Sequence, residues 1–276
     1  MLYTSNQSHP TPTSDYDDYI IALIKDYSDL HGKSIAIGDA QAPDGTLRIA
    51  VNYEHTIVKE GAENSDGCHM SPVYPYLVRI VDVWELNRSD IVIDYSATNV
   101  HHVASSGLFP DIAKKHVYIA PTLYPLYTNP ANRDIPTLTT FINTHLPRRK
   151  KLLDALSDHV NVSDCFDRNA IRDVYMRTRV LINIHQTDYH CTLEELRVLP
   201  ALQCGVIVVC ESSPLLDVVS YADHIVWAQL EAIPSTVRHV LDNYDEYHKK
   251  IFGCDFISSI AYGNRLRLHA ALDEHP

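Results

Sequence analysis

The chain has 276 residues, 45% of them hydrophobic, enough for a sizeable core in one large or two small domains. Its net charge of −12 argues against a general binder of the nucleic-acid backbone, which presents a basic face, and leaves room for one local basic pocket. No apolar run approaches the ~20 residues that a membrane-spanning helix needs, and the polar, acidic opening stretch "MLYTSNQSHPTPTSDYDD" is not expected to act as a signal peptide. Six cysteines (68, 165, 191, 204, 210 and 254) form no C-x-x-C pair. Cys204 and Cys210 sit in apolar surroundings, so the set reads as small hydrophobes in a reducing, cytoplasmic compartment. The 16 histidines form no H-E-x-x-H and no tight cluster with cysteine, and the nine glycines form neither a P-loop nor G-x-G-x-x-G. Neither a metal nor another cofactor is therefore expected.

In chain order, residues 1–13 read as a loose arm. "DYDDYIIALIKDYSDLHG" follows Ser14 with acids in its first turn and Gly32 as its stop, which predicts a helix. "SIAIG" (34–38) and "LRIAV" (47–51) read as strands, and residues 52–75 as a long polar loop. "YLVRIVDVWELNRS" reads as a helix, "DIVIDYS" as a buried strand, "TNVHHVASSGL" as a short helix and "KHVYIAP" as a strand. "TLYPLYTNPANRDIPT" is the best linker candidate, after which the pattern restarts.

In the second half "TLTTFIN", "VNVSDC", "RVLINIH", "VIVVCE" and "HIVWA" read as strands. "RRKKLLDALSDH", "NAIRDVYMRT" and "LEELRVLPALQC" read as the helices between them, and "IPSTVRHVLDNYDEYHKKIF" as a final long helix. Continuous apolar strands alternating with helices predict parallel sheets covered on both faces. The chain reads as two α/β halves, 1–128 and 129–276, with the last helix a candidate to return to the first. Ligands are expected at the carboxyl ends of strands, in a cleft between the halves.

The loops after strands hold the candidate site residues. His185 ends "RVLINI", and Thr192-x-x-Glu195 has the spacing of a capping box, so a helix is expected to start near Thr192 with its N–H groups open to an anion. Glu195 has two readings: a carboxylate for the hydroxyls of a ribose, or the closing half of the cap. Arg148 and Arg149 stand at a helix start, where a cation is disfavoured unless an anion joins it; a solvated basic turn is the other reading. Glu54 beside His55, Asp39 after "SIAIG" and Asp66 in the long loop are candidate general bases, each also readable as an ordinary loop residue. Asp94 has a structural alternative, capping the next helix through Ser96 and Asn99.

The ordered set "NYEH" (52–55), "DYSATN" (94–99), "IAPTLYP" (119–125), "FINTHLPRRKKLLDAL" (141–156), "LINIH" (181–185), "LEELR" (193–197) and "VVCES" (208–212) resembles a group of GT-B type glycosyltransferases of bacterial and large-virus glycan synthesis. The match spans roughly residues 47 to 220. Cys210 departs from it, standing where a serine is usual, and the first half is shorter than usual. The resemblance implies two Rossmann-like halves and sugar transfer from a nucleotide diphosphate donor to a glycan acceptor without a bound metal. It places the donor on the second half. Arg148 and Arg149 with the turn Tyr189, His190, Cys191, Thr192 and Leu193 would hold phosphates, Glu195 would hold ribose, and His185 and Arg197 would line the pocket. His55, Tyr95, Ser96 and Asn99 would face the acceptor, and Glu54, Asp39 or Asp66 would deprotonate it if the enzyme inverts, the slightly preferred course. Size and motif layout are similar to members that add xylose to a viral capsid glycan, which makes UDP-xylose the expected donor. A nucleotide-sugar epimerase and a non-catalytic glycan- or nucleotide-binding module share the architecture and stand as alternatives.

Overall fold

A computed structural model describes residues 1–4, 14–54, 58–60, 76–78, 83–127, 129, 132–156, 158–163, 168–185, 192–213 and 215–275. The fold is α/β, with two five-stranded parallel sheets, as the alternation of strands and helices predicts. The chain divides into two compact units: Met1–Pro121 with Ile260–Pro276, and Thr122–Ser259.

Unit 1 opens with β1 (Leu2–Thr4), where a loose arm was expected; Leu2 pairs with Ile35, and the Met1 ammonium donates to the Lys33 carbonyl. Then come α1 (Ser14–His31), β2 (Ile35–Ile37) and β3 (Leu47–Asn52). Asp15 and Asp17 complement the dipole at the start of α1, and Gly32 ends the helix at φ 66, a backbone angle that favours glycine. An antiparallel ribbon pairs β4 (Val58–Glu60) with β5 (Tyr76–Val78). Of the helix expected over residues 76–89, Val83–Arg88 form α2, while Tyr76, Leu77 and Val78 pair with β4.

The unit continues with β6 (Ile91–Asp94), α3 (Ala97–Ser106), α4 (Pro110–Ala113) and β7 (His116–Tyr118). Its sheet order, β1-β2-β3-β6-β7, follows the chain without a reversal. Leu86 of α2, Val103 of α3 and Ile112 of α4 cover Ala50 and Val92. Burying each large aliphatic side chain of this kind contributes about 1.5–3 kcal/mol.

Unit 2 contains β8 (Ile135–Thr139), α5 (Pro147–Ala155), β9 (His159–Asn161), α6 (Arg168–Arg177), β10 (Thr178–Asn183), α7 (Glu195–Gln203), β11 (Ile207–Glu211) and β12 (Val226–Ala228). The helix expected over residues 233–252 is two, α8 (Ile233–Asp242) and α9 (Tyr244–Ile251), broken at Asn243 (φ −120, ψ 33). The last helix, α10 (Phe256–Asp273), was not assigned from sequence, and from Ile260 it belongs to unit 1.

In unit 2 the sheet order is β12-β11-β10-β8-β9. From β9 across, and counting strands by appearance, that is 2-1-3-4-5, a doubly wound order in which the winding reverses between β8 and β10. β10 and β11 are continuous apolar runs because both sheet faces are covered. β8 begins at Ile135, two residues earlier than expected. Pro136 is tolerated because its side chain points to solvent and β9 joins β8 only from Thr137 onward. The candidate linker is anchored at its start: Gln203 at the end of α7 accepts from Leu123 N (3.0 Å) and donates to the Tyr124 carbonyl. α7 ends on a Schellman turn, with Gly205 at φ 72 donating to Leu202 O and Val206 N donating to Ala201 O. Buried Arg133 caps this end of the sheet with bonds to the carbonyls of Tyr175 (3.1 Å), Thr178 (2.6 Å) and Cys204 (2.6 Å), a cation among helix C-termini.

Candidate functional site

The reversal in unit 2 opens a gap where the loops after β8 and β10 diverge, the position at which such sheets take ligands. After β8 the chain runs through Phe141 into α5, whose first turn follows Pro147 and carries Arg148 and Arg149. After β10 it runs through His185, and after the next loop α7 begins with Glu195 and Arg197. Glu211 ends β11 alongside.

Arg148 forms a bidentate pair with Glu211, at 2.5 Å from Nη1 to Oε2 and 2.7 Å from Nη2 to Oε1. Glu211 Oε2 also accepts from the His185 backbone N–H at 3.0 Å and lies 3.5 Å from His185 Nδ1. Burial works to raise the Glu211 pKa; the hydrogen bonds from His185 and Arg148 outweigh it and hold the carboxyl at about 2.

Arg149 is differently placed. It is 6% exposed, its guanidinium lies over the Phe141 ring 4.6 Å from the centroid, and its Nε has no hydrogen-bond partner among the described residues. Burial first, and then the nearby charge of Arg197, bring its pKa down to about 10, with Glu194 acting the other way. Arg197 donates to Asn183 Oδ1 (3.0 Å), and Asn183 donates to the Cys210 thiol (3.2 Å). His185 Nε2 is likewise buried without a partner among the described residues. Arg149 and Arg197 therefore bring two cations to the switch-point end of the sheet, an arrangement suited to an anionic ligand.

Other expected residues are placed as follows. α7 starts at Glu195 with Glu194 as N-cap and no side-chain cap bond, so the capping box at Thr192 does not form. The reason is local: Glu195 N–H turns back onto the Leu193 carbonyl, which makes Glu195 the first helical residue and not the third. Glu195 is buried and accepts from the Tyr221 hydroxyl at 2.9 Å, while Thr192 and Leu193 are buried beside it in sequence. Tyr189, His190 and Cys191 lie outside the described residues.

In unit 1, Tyr95, Ser96 and Asn99 are all buried. Ser96 caps α3 by accepting from Asn99 N, and Asp94 accepts from Ser96 N (2.9 Å), Asn99 Nδ2 (3.0 Å) and Asn52 Nδ2 (2.7 Å). His116 Nε2 meets the same carboxylate at 2.9 Å. The structural alternative for Asp94 is thus realised. Glu54 is half-buried, and its carbonyl accepts from Asn52 and Asn99. Asp39 is exposed in the turn after β2. His55 and Asp66 lie outside the described residues. Sequence reasoning gave no role to Glu211, Asn183 or Tyr221, although Glu211 closes an apolar strand within "VVCES" and Asn183 lies within "LINIH". Cys204 and Cys210 are buried, as expected, and burial pushes each thiol up to about 12. Among the described residues no helix is long and apolar enough to cross a membrane.

No family model matches the chain. It is 31% identical over 166 residues to an uncharacterized protein of Acanthamoeba polyphaga mimivirus, a match covering 58% of this chain and 56% of that protein. Among solved structures, accessory secretory protein 1, 2 and 3 of Streptococcus pneumoniae superposes with a TM-score of 0.44 at 8% identity, covering 93% of this chain and 57% of that one. The chain thus spans just over half the length of each.

Proposed function

We propose that the chain is a glycosyltransferase that draws on a nucleotide diphosphate sugar, with UDP-xylose the first donor to test and a glycan hydroxyl as acceptor. The observation that carries this reading is Arg149, a buried guanidinium beside the charge of Arg197, its Nε without a partner among the described residues, at the strand-order reversal of unit 2. Sugar transfer leaves a diphosphate whose negative charge must be stabilised as the bond from the anomeric carbon to oxygen breaks. Guanidinium forks in a desolvated setting supply that stabilisation in the role a metal ion takes elsewhere. The acceptor oxygen bonds to the anomeric carbon, its proton passes to a base, and the electron pair of the broken bond stays with the diphosphate. Glu54, Asp39 and Asp66 are the proposed bases for an inverting reaction. The resemblance of the ordered motifs to GT-B enzymes supports the reading.

The test is calorimetry of the whole chain with UDP, GDP, ADP and CMP and their sugars, with and without EDTA. The expected result is binding of UDP and UDP-xylose that survives the chelator. Binding lost with EDTA would overturn the metal-free donor site, and no binding to any nucleotide would overturn the donor site altogether.

A further inference from the structure

The polar groups around Glu211 fix more than a charge balance. Oε2 accepts from the backbone N–H of His185 at 3.0 Å, which pins the residue, and faces Nδ1 of the same ring at 3.5 Å. A lone pair on Nδ1 would point at an anionic oxygen, so the ring proton belongs on Nδ1. The neutral ring then carries its lone pair on Nε2, which is buried and has no partner among the described residues. An unmet buried acceptor is rare in folded proteins and calls for a donor. Phosphate oxygens cannot meet it, since at neutral pH they chiefly accept; a hydroxyl can.

We propose that Glu211 is a positioning residue that fixes His185 in the Nδ1–H tautomer, so that His185 Nε2 accepts a hydrogen bond from a hydroxyl of the ligand held on unit 2. The identity of that ligand rests on the donor-site reading above. The site then divides its work: guanidinium groups take the phosphates, and the imidazole reads a hydroxyl of either the ribose or the transferred sugar.

Two measurements test this separately. Long-range proton–nitrogen NMR of the ¹⁵N-histidine-labelled whole chain, with His185 assigned by its loss in His185→Ala, reads the tautomer without any ligand. The expected result is an Nδ1–H ring that redistributes toward Nε2–H in Glu211→Gln. An Nε2–H or doubly protonated His185 at neutral pH in the unaltered protein would overturn the proposal, whether or not Glu211→Gln folds. Calorimetry of His185→Ala with UDP-xylose, UDP and inorganic pyrophosphate reads the hydroxyl. A loss of about 10- to 100-fold for UDP-xylose alone identifies a sugar hydroxyl, and the same loss for UDP as well identifies the ribose. An equal loss for pyrophosphate would make His185 a phosphate ligand and overturn the hydroxyl assignment. If none of the three binds the unaltered chain, the donor-site reading fails and the hydroxyl assignment fails with it, while the tautomer still stands or falls on the NMR.

Discussion

Each unit places a carboxylate at the end of a central strand, and the two are used in opposite ways. Asp94 of unit 1 is enclosed by Asn52, Asn99, Ser96 N–H and His116, and its hydrogen bonds go to these neighbours and to the turn that opens α3, with His116 Nδ1 buried and without a partner among the described residues. Glu211 of unit 2 is matched by Arg148 and His185, yet the groups around it keep polar atoms to spare, Arg149 Nε and His185 Nε2. A network turned onto a helix N-terminus serves the fold; one that gathers arginines at a strand-order reversal suits a ligand. The sheets carry the same distinction, since unit 1 winds without reversal and unit 2 reverses between β8 and β10.

The comparison breaks most sharply at Asp94. Asp94→Ala leaves Asn52, Asn99 and His116 without their buried acceptor, and denaturant unfolding is expected to show a loss of about 3–5 kcal/mol. A loss below ~1 kcal/mol would mean that the Asp94 network is not what holds unit 1. Arg149→Met in unit 2 should act the other way. Relieved of a desolvated like-charge contact, the variant keeps its unfolding free energy within about 0.5 kcal/mol, while UDP affinity measured by calorimetry falls about 10- to 100-fold. Equal losses of stability and affinity would make Arg149 structural.

Acid should separate the units again. The Glu211 pKa is depressed in the folded state, so its contribution is fully present above the ordinary carboxyl value of 4.5 and is lost as pH falls through about 2. Allowing for solvent screening, that contribution is on the order of 1–2 kcal/mol. Denaturation at a series of pH values should show this loss in the unaltered protein and not in Glu211→Gln, and an identical acid profile for both would refute it. The smallest effect is expected at Cys210. Cys210→Ser keeps an acceptor for Asn183 and should shift stability by less than ~1 kcal/mol in thermal melts. A larger loss would show that the bulk of the sulfur, and not its acceptor role, holds Asn183 and Arg197 in place.

The sequence showed what depends on neighbours along the chain and hid what depends on distant partners. "IVID" and "VIVVCE" announce buried strands by their unbroken apolar runs, and Ser96 with Asn99 three residues on announces a helix cap. The Arg148–Glu211 pair joins residues 63 positions apart, so the arginines were legible as cations at a helix start and the partner of one of them was not. The Thr192–Glu195 box was misread because its spacing matches a cap whether or not the helix starts at the threonine. α10 escaped because its interior holds Asn264, a residue that suits turns in a local reading. Its side chain serves the backbone of Ala120, accepting from N at 2.9 Å and donating to O at 2.8 Å.

That bond has a consequence for how the chain is made. Ala120 and Asn264 are 144 positions apart, and Lys33 and Tyr27 likewise wait for Leu272 and Asp273. All residues of unit 2 are synthesised in between. At roughly 5–20 residues per second, a ribosome leaves unit 1 without its closing helix for on the order of ten seconds while unit 2 emerges as one uninterrupted segment. The later-made unit is therefore the one able to fold first, and the earlier-made one is the stage at which a nascent chain is open to chaperones and proteases.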